Sequence, residues 1–375
     1  MLIRSAKRRG ILSVAASGLL AVVAASCSSG TSSATTTTGL AQATFGTEQL
    51  WNTVGYHNSY SSSVFITPYW AAFSSSNGGR SWKLRMPANV SPRRGITLSF
   101  TPAQQEAVGF FAYGAQQNSV VFVFGPGHVS APVFLPGSLE PVRQAVGLGG
   151  GRLYALGSSG AGVSLLASSV TQVKWHTLAT GSSGGVSALG FGGSGLKGMA
   201  LLGARISGGV VTGAYATVDG GAAWSKVRIS ASAGERLVDA YVPPGFATNS
   251  YDIALTLQGS SGFVTEVAAP GKTYASPLEP NRPVVGADSR GDVFSVSGLL
   301  GQVPQLNVFD AATLSWHTPI TMNGVTGAVM SVGFSDLHDG VVVVSASGKL
   351  VSYYTSDGGS VWHKGGSIVA VPSAG

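Results

Sequence analysis

Residues Thr355–Trp362 read TSDGGSVW. One acid, two glycines and a tryptophan in eight positions suit either a fragment of an active site or a structural turn. The rest of the chain separates these readings. TVDGGAAW occupies Thr217–Trp224, and SSNGGRSW occupies Ser75–Trp82 with Asn77 in place of the acid. All three run Ser or Thr, any residue, Asp or Asn, two glycines, two free positions and tryptophan. The positions they share are Asn77, Gly79 and Trp82; Asp219, Gly221 and Trp224; and Asp357, Gly359 and Trp362.

Weaker echoes fall between them. Trp-His-Thr occurs at Trp175 and Trp316, VAAPGKTY at Val267–Tyr274, and VFGPGHVS at Val123–Ser130. The seven units end at Trp82, Ser130, Trp175, Trp224, Tyr274, Trp316 and Trp362. Their separations average about 47 residues, the length of a four-stranded propeller blade. The upstream halves agree. Phe191 precedes Gly198, and Phe334 precedes Gly340, each at the end of an apolar run. Runs such as Val120–Phe124 and Val341–Val344 suit buried strands, and no helical period is sustained beyond the N-terminal leader.

The repeated pattern resembles the Asp-box, or BNR repeat. It recurs in sialidase-type propellers and in those similar to the photosystem II stability/assembly factor. The resemblance covers about residues 45–375. It implies an all-β fold: a seven-bladed β-propeller with four-stranded antiparallel blades, the box joining the third and fourth strands of each. On physical grounds the box is structural. Its acid accepts backbone N–H groups in the turn, its glycines permit positive φ, and its tryptophan packs on the sheet. His176, His317 and His363 each follow a box tryptophan. At matching positions of different blades they cannot share one metal ion, so no metal or other cofactor is expected.

Composition supports an all-β chain. Of 375 residues, 54 are glycine and only 10% are charged, against about 25% in an average soluble domain. The formal charge is +7, but four of the 22 basic residues (Arg4, Lys7, Arg8 and Arg9) fall in the first ten positions. The remainder is near charge balance with no basic run, which speaks against nucleic-acid binding. Those four cations, the apolar stretch Ile11–Ala25 and the small residues after it read as a secretory leader. The single cysteine, Cys27, follows Ala24-Ala25-Ser26. This resembles a bacterial lipobox, with Ala24 where Leu, Val or Ile is usual, and implies lipidation of Cys27. Residues 1–26 are then a lipoprotein signal peptide. Residues 27–44, rich in Ser and Thr, are a flexible tether, and residues 45–375 are the propeller.

No GxSxG, HExxH, P-loop or cysteine nucleophile occurs, so no catalytic residue is assigned. The expected function is a non-catalytic module that binds or scaffolds a protein or glycan. It would be a monomer outside the cytoplasm, held to the membrane by its lipid. Two alternatives follow from the resemblance. The first is a sialidase-like glycoside hydrolase, which needs an arginine triad, a Tyr–Glu pair and an acid/base Asp. Arg143, Arg152, Arg205, Arg236, Arg282 and Arg290 supply guanidiniums, but their spacing names no triad. Leu84-Arg85-Met86-Pro87 lies after the first box, where the sialidase motif would precede it. The second alternative is an assembly factor for a membrane complex.

Overall fold

The computed structural model describes strands between residues 54 and 134 and most of 146–368, with side chains for residues 80–81 and most of 152–366. Cys27, Asn77, Gly79, Trp82, Arg85 and Arg143 lie outside the described residues. All regular structure among the described residues is β. None of it is a helix long and apolar enough to cross a membrane.

Six antiparallel sheets follow one another along the chain, each a meander in which chain neighbours pair. Sheet A comprises Arg94–Thr101, Glu106–Ala112, Val120–Gly125 and His128–Val129, with Val133–Phe134 also on the third strand. Sheet B comprises Val146–Gly149, Arg152–Ser159, Gly162–Ser169 and His176–Gly181. Sheet C comprises Val186–Phe191, Gly198–Ala204, Ala214–Thr217 and Ser225–Lys226. Sheet D comprises Arg236–Tyr241, Ile253–Gln258, Phe263–Ala269 and Lys272–Ala275. Sheet E comprises Val284–Ala287, Val293–Ser297, Gln305–Asp310 and Ser315–Trp316, with Ile320–Thr321 also on the third strand. Sheet F comprises Ala328–Phe334, Gly340–Ala346, Lys349–Thr355 and His363–Ile368. In every sheet the link from third to fourth strand falls at one of the repeat ends read from the sequence. Ahead of sheet A the pattern differs. Val54–Tyr60 pairs with Phe65–Ala71, and Phe73–Ser74 pairs with Lys83–Leu84, as two separate hairpins.

Neighbouring sheets stack through their faces. Apolar clusters lie between B and C (Tyr154, Leu165, Phe191, Leu202), C and D (Leu201, Val242, Leu255), D and E (Tyr241, Val285), and E and F (Phe294, Leu306, Phe334). A strand covered on both faces reads as a continuous apolar run rather than an alternation. Gly198–Ala204 and Val293–Ser297 are accordingly buried at every residue. Each fully buried Leu or Val contributes about 1.5–3 kcal/mol.

The Phe–Gly echo has a steric cause. Gly198 lies beneath the Phe191 ring and Gly340 beneath the Phe334 ring, so a Cβ at either position would strike the ring. Phe334 in turn stacks on Phe294 of sheet E at 3.9 Å between centroids.

Sheet C carries an addition. Ile206–Ser207, Val210–Val211 and Ile229–Ser230 form a small three-stranded sheet beyond the end of its second strand. Arg80 and Ser81, from the first repeat turn, lie against sheet F. The Gly366 N–H donates to the Arg80 carbonyl at 2.9 Å, and the Arg80 guanidinium sits 5.0 Å from the centre of the Tyr354 ring.

Candidate functional site

The box turns come first, because the sequence singled them out. In sheet C, the Asp219 carboxylate accepts the Ala223 N–H at 3.0 Å and the Thr217 hydroxyl at 2.7 Å. Thr217 Oγ1 accepts the Gly221 N–H at 2.9 Å. Sheet F repeats this. Asp357 accepts from Val361 (3.0 Å) and Thr355 (2.8 Å), and Thr355 accepts from Gly359 (3.0 Å). These bonds favour the ionised acid. The Ala223 N–H, then the Thr217 hydroxyl, hold Asp219 below the usual carboxylate range, and the Val361 N–H leads the same effect at Asp357. Both threonines are buried and knot the turn from inside.

The glycines do more than bend the chain. Gly220 and Gly221 have φ of 70° and 84°, and Gly358 and Gly359 have 76° and 93°. Each box also rests on the preceding sheet. The Tyr154 hydroxyl of sheet B donates to the Gly220 carbonyl at 2.6 Å, and a Cβ on Gly359 would meet Leu306 of sheet E at 2.7 Å. Trp224 and Trp362 meet Phe191 and Phe334 edge-on at 5.8 and 6.2 Å. The Oδ1 atom of each box acid is thus spent on the turn itself.

The histidines do not converge. His317 lies 3.7 Å from Asp310, and His363 packs on Tyr354 with ring centroids 5.4 Å apart. His176 is exposed at the head of its strand. Among the described residues no group of three His, Cys, Asp or Glu side chains could hold a metal ion.

Of the buried carboxyls that the sequence did not single out, Asp239 pairs with Arg282 and Glu266 accepts from Ser232, and three more lie in or beside sheet E. Glu279, in the link between sheets D and E, accepts the Ser295 hydroxyl at 2.7 Å and leaves Oε2 without a partner. Burial pushes its pKa up against the hydroxyls of Ser295, Ser297 and Thr265. Asp288 and Asp292 flank the tight turn between the first strands of sheet E. Asp288 Oδ1 accepts the Arg290 and Asp292 N–H groups at 2.8 and 2.9 Å, and Asp292 Oδ1 accepts the Ala311 N–H at 2.8 Å. Burial, then the Asp292 charge, raises the Asp288 pKa to about 8. All three are closed off from solvent, which makes them parts of the scaffold.

An open cleft lies elsewhere, between sheets C and D. The pairing fixes which end holds it. Gly198 sits opposite Thr217, so the box lies at the start of the second strand. Ala204 sits opposite Val186 at the other end. The cleft is lined there by Gly184, Gly185, Arg205, Glu235 and Arg236 over an apolar floor that includes Val186, Ile206 and Leu237. Its volume is about 530 Å³, within the ~300–1,000 Å³ usual for small-ligand sites. The first strands of both sheets shift register beside it, between Val186 and Ala188 and between Leu237 and Asp239. Such bulges re-aim side chains next to binding sites. The small added sheet forms part of its wall through Ile206.

Arg205 is held in place. Its guanidinium donates to the Ser183 carbonyl at 2.9 Å, and its backbone is clamped by Thr212, whose N–H donates to the Arg205 carbonyl at 2.8 Å. Gly184, at φ 75°, has room for no side chain without pressing on that guanidinium, since a Cβ would lie 3.3 Å from it. Arg236 is exposed, and Glu235 Oε2 is buried without a hydrogen-bond partner. Arg282 reaches the same end, where it pairs with Asp239 at 2.9 Å and donates to the Val238 carbonyl at 3.2 Å. The structure thus brings together Arg205 and Arg236 of the six arginines, and places Arg290 in the turn at the box end of sheet E.

No family model and no curated protein matches the sequence. Solved structures do resemble the fold. A prolyl endopeptidase superposes with a TM-score of 0.49 at 11% identity, over 81% of this chain and 48% of that one, so the chain spans about half of that enzyme. The β-propeller domain of the Trilobed protease from Pyrococcus furiosus gives 0.45 at 7% identity, over 69% and 82% of the two chains. The six-bladed, fucose-recognising lectin of Aleuria aurantia gives 0.42 at 14% identity, over 74% and 97%.

Proposed function

We propose that this chain is a seven-bladed β-propeller of the Asp-box type, carried outside the cytoplasm on a lipid at Cys27. It acts as a non-catalytic module that binds a protein or glycan. The observation that carries the reading is the cleft between sheets C and D. It joins two guanidiniums, one carboxylate and an apolar floor, groups that hold and orient a ligand. The boxes support it from the other side, because their acids are consumed in turns. A lipid anchor followed by a Ser/Thr-rich tether suits a module that samples ligands above a membrane.

One observation favours the sialidase-like alternative: Arg205 and Arg236 share a cleft with Glu235. That chemistry also needs a third arginine and a tyrosine nucleophile. Arg282 is engaged by Asp239, and among the described residues no tyrosine lines the cleft.

Labelled full-length protein in detergent, applied to arrays of glycans and envelope proteins, tests the reading. Selective capture that Arg236→Ala abolishes supports it. Turnover of a fluorogenic sialoside, lost in Glu235→Gln, would replace it with the hydrolase. For the anchor, Cys27→Ala is expected to move the protein from the membrane to the soluble fraction. Unchanged membrane retention rejects lipidation.

A further inference from the structure

The ligand class can be read from the charges of the cleft, given that it is the binding site. Arg205 and Arg236 bring two positive charges and Glu235 one negative charge, so a monoanion balances the site. Guanidinium selects planar carboxylate through paired N–H donors. A phosphate dianion would face the Glu235 carboxylate at close range and is disfavoured. Glu235 adds a second requirement. Its Oε2 is buried with no hydrogen-bond partner, a state that costs stability. A donor supplied by a ligand relieves that cost when the carboxylate turns toward the cleft. The ligand therefore carries a carboxylate and, a few bonds away, a neutral donor. An ammonium donor would make the ligand a zwitterion and leave the site with excess positive charge, so a hydroxyl fits better.

Three features suit a small hydroxylated acid. The glycines at 184 and 185 leave backbone accessible at the rim. Gly185 has no space for a Cβ beside the Gly203 carbonyl, so the two chain segments are in contact. Arg205 is already oriented by Ser183 and Thr212, which reduces the ordering cost of binding. The floor of Val186, Ile206 and Leu237 takes the apolar face of a ring or short chain.

We propose that the cleft between sheets C and D binds a hydroxycarboxylate, a carboxylate borne beside hydroxyl donors, as in a uronic acid residue. Arg236, with Arg205, holds the carboxylate, and Glu235 accepts the hydroxyl.

Calorimetric titration of the full-length protein in detergent with sodium glucuronate tests this. Glucose, acetate and inorganic phosphate serve as comparison probes. Glucuronate is expected to bind at one site per chain. Glucose lacks the acid and acetate lacks the hydroxyl, so each should bind at least about tenfold more weakly. Arg236→Ala and Arg205→Ala should each weaken glucuronate about tenfold or more with an unchanged melting temperature, because both side chains are exposed. Glu235→Gln should weaken glucuronate and spare acetate. Digalacturonate binding more tightly than galacturonate identifies a polysaccharide as the source, and equal binding identifies a free acid. Equal affinity for phosphate, acetate and glucuronate overturns the proposal, as does glucuronate binding insensitive to Arg236→Ala. If an array ligand needs Arg236 but glucuronate neither binds nor competes, the hydroxycarboxylate assignment fails and the binding-module reading stands. If array capture ignores Arg236, the site itself is wrong.

Discussion

At the residue scale, the decisive positions are the second glycines of the boxes. Gly221 is constrained twice, by its φ of 84° and by the Tyr154 hydroxyl that lies where a Cβ would go. Gly234 has nearly the same φ, 85°, and open space around it. The pair separates strain from packing. Gly234→Ala is expected to cost about 1 kcal/mol, the backbone penalty alone. Gly221→Ala should cost about 1–3 kcal/mol more, because the rigid ring and the hydrogen bond to Gly220 must move. Urea denaturation of both variants reads the difference. Equal losses would show that the box does not rest on sheet B. Thr217→Val addresses the knot of the turn. It removes the acceptor of the Gly221 N–H and the donor to Asp219 together, and about 1–2 kcal/mol should follow.

At the scale of elements, the turns were legible in the sequence and the contacts between sheets were not. Asp219, Gly221 and Trp224 lie within six residues, so their relation survives as a motif. The buried Thr217 was readable only as the motif's least distinctive letter. Arg205 and Arg236 are meaningless by spacing, since stacking of two sheets makes them neighbours. Asp288 and Asp292 left one signal, two acids four positions apart across a glycine turn. Glu279 left none, because its hydroxyl partners come from different strands. These buried acids set a pH dependence. Asp288 keeps its proton up to about 8, whereas the unfolded chain releases it near 3.8. Between those values the folded state holds more protons, so stability falls as pH rises through that window. Glu279, also shifted upward by burial, acts in the same direction. Asp219 and Asp357 are shifted downward, so their contribution is lost as pH falls below the usual carboxylate range. Melting temperature should therefore be highest at mildly acidic pH and decline as pH rises to about 8. Asp288→Asn and Glu279→Gln mimic the neutral acids, and each should flatten that decline. A double variant with the wild-type slope would show that neither acid is buried in its neutral form.

At the scale of the whole molecule, the open question is how the succession of sheets ends. The boxes obey one rule wherever they are described: the box of sheet C rests on sheet B, and the box of sheet F rests on sheet E. Among the described residues, only the hairpin Val54–Tyr60 with Phe65–Ala71 precedes the first repeat turn. Its residues Arg80 and Ser81 instead meet the last sheet, through the Gly366 N–H and the Tyr354 ring. If the sheets form a ring without free edges, this contact is where the ring would close. Gly366 tests this, because a Cβ there would stand 2.9 Å from the Arg80 carbonyl. Gly366→Val is expected to push the two segments apart and cost about 1–3 kcal/mol. Its signature is remote: faster amide exchange in Val54–Ala71 and Phe73–Leu84, with the interface between sheets C and D unchanged. Arg80→Ala should weaken the same junction less, by about 0.5–1 kcal/mol, through loss of its stacking on Tyr354. Destabilisation confined to sheet F, with no change in exchange near residues 54–84, would mean that the first and last segments touch without closing the molecule.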